Sequence, residues 1–138
     1  MNTMITSQAE ADIAAVQKGF AAVRDRDIAA FADGFHADAT WNHRNPDRLG
    51  GVHDGIEAVV AFLLESIELT AGTLAPVPTR YLPDGEGHVA VVTQISGERP
   101  DGRTFSDTQI LYFTLEDGKV RSVDQYIGDP PAVTAFWA

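Results

Sequence analysis

Four histidines, His36, His43, His53 and His88, supply imidazoles that can take or give a proton near neutral pH. His43 stands out because Thr40-Trp41-Asn42-His43 reads as a strand, and alternation puts Trp41 and His43 on one face. Trp41 is expected inward, which carries His43 into the interior as a general base or acid. The plainer alternative is a core histidine with satisfied hydrogen bonds. His36, His43 and His53 match none of the compact metal-ligand spacings, and no two histidines stand four residues apart on a helix. His88 follows Gly85-Glu86-Gly87 and is expected in solvent.

The second chemical signal comes from strand parity. In Arg103–Leu115 the odd positions are Phe105, Asp107, Gln109, Leu111, Phe113 and Leu115, an increasingly apolar series. That face is assigned to the core, which brings Asp107 and Gln109 inward. A buried carboxylate must be paired, hydrogen-bonded or protonated, so Asp107 is informative unless the strand overruns the core edge. In Lys119–Gly128 an inward Val123 and Ile127 would carry Gln125 with them. The even face of Arg103–Leu115, with Ile110, Tyr112 and a row of threonines, suits either a second subunit or solvent. Phosphate-binding glycine loops, dinucleotide fingerprints and nucleophile elbows are absent from the sequence.

These residues need a scaffold. Ser7-Gln8-Ala9-Glu10 has the form of a capping box, and Ile13, Val16, Phe20 and Val23 then follow at helical spacing. Asp27 can cap a short helix with Ile28, Phe31 and Phe35 on its apolar face. Asp54 with Glu57 repeats the signature before Ile56, Val59, Val60, Leu63 and Ile67. Between these helices Asp38–Asn45 reads as a strand followed by a polar loop. Leu74–Leu82 is extended but broken by Pro76 and Pro78, as an edge strand would be. His88–Ser96, Arg103–Leu115 and Lys119–Gly128 complete a meander with turns at Pro83-Asp84-Gly85, Pro100-Asp101-Gly102 and Asp117-Gly118. Helices followed by strands predict an α+β domain, with a curved mixed sheet wrapped around the N-terminal helices as a cone.

Composition fits one such domain over residues 1–138, with 1–6 expected as a flexible tail. The formal net charge of −10 argues against a nucleic-acid partner and against docking on anionic lipid. Its acids are expected in helix caps and exposed helix faces, Asp12 among them, and in turns. There is no cysteine, so disulfides, thiol nucleophiles and thiolate metal sites are excluded. No apolar run reaches the ~20 residues of a membrane span, and the expected compartment is the cytoplasm.

Several segments resemble a known superfamily. Gln17–Val23, Asp27-Ile28, Phe35-His36-Ala37-Asp38-Ala39-Thr40, Gly55–Val59, Phe113–Val120 and Phe136-Trp137 together look like nuclear-transport-factor-2-like proteins, closest to SnoaL-like and ketosteroid-isomerase-like members. The resemblance implies a conical cavity for a small apolar molecule and a homodimer through the convex sheet face. The aspartate base of ketosteroid isomerases falls at His43, whereas their oxyanion-hole tyrosine and aspartic acid fall at Gly19 and near Leu111. The residues that orient water in limonene-epoxide-hydrolase-like members match Trp41 and His43, but their Arg-Asp-Asp set falls near Gln94, Ser96 and Gln125. Neither of those activities is therefore expected. The expectation is acid–base catalysis without metal or organic cofactor, in which His43 moves the proton and Asp107 balances it. Trp41, Gln109, Gln125, Phe113, Leu111 and Ile127 would bind substrate. A non-catalytic ligand-binding module of the same fold is the alternative.

Overall fold

The computed structural model describes residues 3–138, with side chains from Ser7 onward. The chain runs α1 (Thr3–Arg24), α2 (Ile28–Asp33), β1 (Phe35–Arg44), β2 (Gly51–Asp54), α3 (Ile56–Leu69), β3 (Ala75–Pro83), β4 (His88–Glu98), β5 (Thr104–Glu116), β6 (Lys119–Tyr126) and α4 (Pro130–Trp137). The strands form one curved open sheet in the order β2-β1-β6-β5-β4-β3. β3 to β6 are an antiparallel meander, and β1 joins β6 in parallel, which makes the sheet mixed. β3, the strand with the prolines, is an edge as expected.

The principal core forms where α1 and α3 lay apolar residues against the inner face of the sheet. Val16 and Val23 from α1 meet Val59 and Leu63 from α3 and Val91, Leu111, Phe113 and Val123 from the strands. Alternation along β5 follows the expected parity: Asp107, Gln109, Leu111, Phe113 and Leu115 are buried, and the even positions are exposed or half-buried. A second cluster closes one end of the cone, built from Leu49, Leu74, Ile95, Val133, Phe136 and Trp137.

Several local expectations are corrected. α1 begins at Thr3, so Ser7 lies inside the helix and cannot cap it; of the expected tail, residues 1–2 lie outside the described residues. Asp27 does cap α2, accepting from the Ala30 amide, but Phe35 opens β1 rather than extending the helix. Gly55 takes the cap position of α3 without a side-chain bond, leaving Asp54 in β2. β2 itself emerges from the segment expected as a loop and pairs His53 with Trp41. The last strand stops at Tyr126, after which Asp129 caps α4 by accepting from the Ala132 amide, with Pro130 and Pro131 in its first turn. Asp12 is buried, not exposed: its carboxylate accepts from the Gly87 amide at 3.1 Å and from Gln8 at 2.8 Å, tying α1 to the β3–β4 turn. Among the described residues no helix is long and apolar enough to cross a membrane.

Candidate active site

The parallel register of β1 and β6 sets Trp41 beside Val123 and His43 beside Gln125. β5 pairs with β6 on the other side, placing Leu111 opposite Gln125. All these side chains point to the inner face, where the sheet and helices enclose a cavity of about 100 Å³. Its wall is mainly aromatic and aliphatic, with Phe20, Phe31, Trp41, Phe62, Phe113 and Trp137 prominent. The polar lining is small: His43, Gln109, Gln125 and Ser66, the last with its hydroxyl donated to the Leu63 carbonyl at 2.7 Å.

The polar groups form one continuous chain. Asp107 accepts from the Gly128 and Asp129 amides, each at 3.0 Å, and from Gln109 Nε2 at 3.0 Å. Gln125 Nε2 then donates to Gln109 Oε1 at 2.7 Å. Gln125 Oε1 accepts from Trp41 Nε1 and faces His43 Nδ1, both at 2.9 Å. On the far side of the ring, His43 Nε2 meets Asp47 Oδ2 at 2.8 Å.

Donor chemistry fixes how both glutamine amides are turned. Indole N–H can only donate, so Gln125 must present its oxygen to Trp41. The carboxylate of Asp107, already holding two backbone N–H groups, requires the Gln109 nitrogen, which orients both amides the same way. His43 Nδ1 therefore carries a proton, because its partner is an acceptor. A second proton lies between Nε2 and Asp47.

Asp47 is held by a short loop. Its Oδ1 accepts from the Leu49 amide at 2.8 Å, an Asx-type turn, and its backbone carbonyl accepts from Gly50 at 2.9 Å. Gly50 is required for this closure, since a Cβ there would come within 2.1 Å of the Asn45 carbonyl oxygen. Asn45 donates to Asp47 Oδ2 at 2.6 Å and to Thr134 in α4 at 3.0 Å. The side chains of His43 and Asp47 are 2% and 0% exposed, so the pair is dry. Burial pushes the Asp47 carboxyl upward, but the bonds from His43 and Asn45, the His43 charge and the Leu49 N–H outweigh it and hold it below the ordinary carboxylate range.

Of the eight residues singled out in the sequence, His43, Trp41, Gln109, Gln125, Leu111 and Phe113 line the cavity. Asp107 is buried but reaches His43 only through the two glutamines, with its carboxylate turned toward the start of α4. Ile127 packs against the second cluster. The acid beside His43 is Asp47, in the segment expected only as a polar loop. His36 and His53 are each bonded to a backbone carbonyl, at Glu116 and Leu49 respectively. His88 is half-buried instead of free in solvent, bonded to Asp84 at 2.6 Å and stacked on Tyr112. Among the described residues no three His, Cys, Asp or Glu side chains are grouped to hold a metal ion.

Fold and cavity together define an α+β cone with a largely apolar chamber, His43 on its wall and Asp47 behind His43. The chain belongs to the SnoaL-like domain family, whose pattern matches residues 16–123. Its fold is similar to that of Bal32a from a soil-derived mobile gene cassette, with a TM-score of 0.91, 26% identity, and coverage of 95% of this chain and 99% of the other. An NTF2-like protein of Burkholderia xenovorans is similar at a TM-score of 0.80 and 25% identity, covering 94% and 98%. TerC, co-crystallised with polyporic acid, is similar at 0.81 and 25%, covering 91% and 97%.

Proposed function

We propose that this protein is a small-molecule enzyme that moves a proton on a largely apolar, oxygen-bearing substrate held in the cone. The observation that carries the reading is the buried His43, set between Asp47 and Gln125 on the wall of an otherwise apolar chamber. In a dry site the Asp47 charge is not screened, so it holds His43 as an imidazolium, which gives its Nε2 proton to a substrate oxygen and then, as neutral imidazole, takes up the proton released beside that oxygen. Gln125 and Gln109 hold the ring's other nitrogen in register and offer amide groups to a substrate oxygen. Trp41, Leu111 and Phe113 supply apolar contact. Isomerisation, aldol-type cyclisation and dehydration share removal of a proton next to a carbonyl, whereas hydrolysis would use the same pair on a water. His43 and Asp47 are the acid–base groups, no metal or organic cofactor is invoked, and Asp107 acts at a distance by fixing the glutamines.

A binding-only role is the second reading, favoured by one specific observation: both ring nitrogens of His43 are already bonded to protein groups. For catalysis a substrate oxygen must displace Gln125 from Nδ1 or draw the proton from Nε2. The co-crystallisation of TerC with polyporic acid is compatible with either reading. We further place the protein in the cytoplasm as a homodimer packed through the outer sheet face. There Ile110 and Tyr112 are half-buried, and Val77 and Tyr126 are 53% and 47% exposed.

The two readings separate with 2-tetralone, a compact apolar ketone with acidic α-hydrogens, followed by proton NMR in D2O. Catalysis predicts α-hydrogen exchange faster than in buffer alone. Saturable binding of the ketone with exchange at the buffer rate would leave the binding module.

A further inference from the structure

Gly19 lies on the cavity-facing stripe of α1, between Ala15, Val16, Phe20 and Val23, all of which line the chamber. Glycine in a helix interior is destabilising relative to alanine, so its presence calls for a reason. The backbone gives none, since Gly19 is not among the residues with positive φ. Packing gives none either: an added Cβ would meet nothing within 4 Å. The other cavity glycine differs, because Gly34 ends α2 and donates its amide to the Phe31 carbonyl at 3.2 Å. What glycine at position 19 does provide is space on the chamber wall.

That space lies on an entirely apolar part of the wall. α1 contributes only Ala15, Val16, Gly19, Phe20 and Val23, whereas His43, Gln109 and Gln125 all come from the sheet. We propose that Gly19 is the specificity-determining residue of the cavity, admitting the hydrocarbon end of a ligand whose single oxygen-bearing head sits at His43 and Gln125. The favoured ligand class is then a small amphiphile, such as an alkyl- or aryl-extended phenol, enol or ketone, in preference to one polar at both ends. This rests on the reading of the cavity as the ligand site.

The test uses phenol and 4-butylphenol as probes, with affinities for wild type, Gly19→Ala and Gly19→Leu measured by calorimetry. Wild type should bind both, the longer probe more tightly. Gly19→Ala should hold phenol at wild-type affinity and weaken 4-butylphenol about tenfold, the effect of overfilling by one methyl. Gly19→Leu should abolish the longer probe's advantage. Without ligand, Gly19→Ala should melt about 3–5 °C higher, since only the helix term remains. Equal loss of both probes, or no loss of either, would overturn the role of Gly19 while leaving the cavity as a ligand site. Binding of neither probe to wild type would overturn the inference and the cavity reading together.

Discussion

Asp47 Oδ2 lies 2.8 Å from Nε2 of His43, and neither side chain has more than 2% of its surface exposed. The pair joins a strand residue to a loop residue four positions on, held by Asn45 and by the turn that Gly50 closes. Breaking one side of such a pair leaves an uncompensated buried group, which costs far more than the intact pair contributes. Asp47→Ala should therefore destabilise the protein by about 3–5 kcal/mol in urea unfolding at pH 7.

The same pair sets an acid limb. The folded-state pKa of Asp47 is depressed, so its contribution is present above the unfolded carboxylate range of about 3.9 and disappears as pH falls through the lower folded value. Urea midpoints measured from pH 6 to pH 2.5 should fall for wild type. In Asp47→Asn the fall should be shallower, because the titrating group has been removed. Parallel curves would show that Asp47 is not linked to folding.

Asp107 is expected to act through α4. Its carboxylate holds the Gly128 and Asp129 amides, and a Cβ at Gly128 would come within 2.8 Å of Asp107 Oδ1. Asp107→Ala should cost about 1.5–3 kcal/mol, the range for hydrogen bonds to a charged group. Hydrogen exchange should show amides 128 and 129 losing protection, with the amides of β4 little changed.

Trp41→Phe keeps most of the ring and removes one donor to Gln125. A loss of about 1 kcal/mol is expected. A loss above ~3 kcal/mol would mean that the indole contributes mainly through packing on Phe62 and Phe113.

If the outer sheet face is a dimer contact, the 14.9 kDa chain should sediment as a dimer. Tyr112→Glu should convert it to monomer without changing its circular dichroism. A wild-type monomer would remove that face as a self-contact.

Much of the architecture was legible because alternation and helical spacing are local. The parity of β5 placed Asp107 and Gln109 inward from a single strand, and Trp41 carried His43 with it. The stripe that buries Val16 and Val23 extends back by one turn to Asp12, a signal present in the sequence that runs against the general rule of acids at the surface. α4 carried its own marks, an Asp-Pro-Pro start before Val133, Phe136 and Trp137, which the strand-rich second half obscured. Asp47 had no such mark. Its direction depends on a turn whose side-chain bonds to Asn45 and Leu49 form only once β1 has placed His43, so no periodicity pointed to it. The parallel pairing of β1 with β6 is likewise a long-range fact, and it brings Gln125 to His43.

In the proposed reaction His43 carries the proton. The most direct measurement is the α-hydrogen exchange rate of bound 2-tetralone in wild type and in His43→Gln, with ketone affinity measured on the same samples. The rate should be at least about 100-fold lower in the variant, the scale of general acid–base catalysis, with affinity within a few-fold of wild type. An exchange rate unchanged by His43→Gln would contradict it.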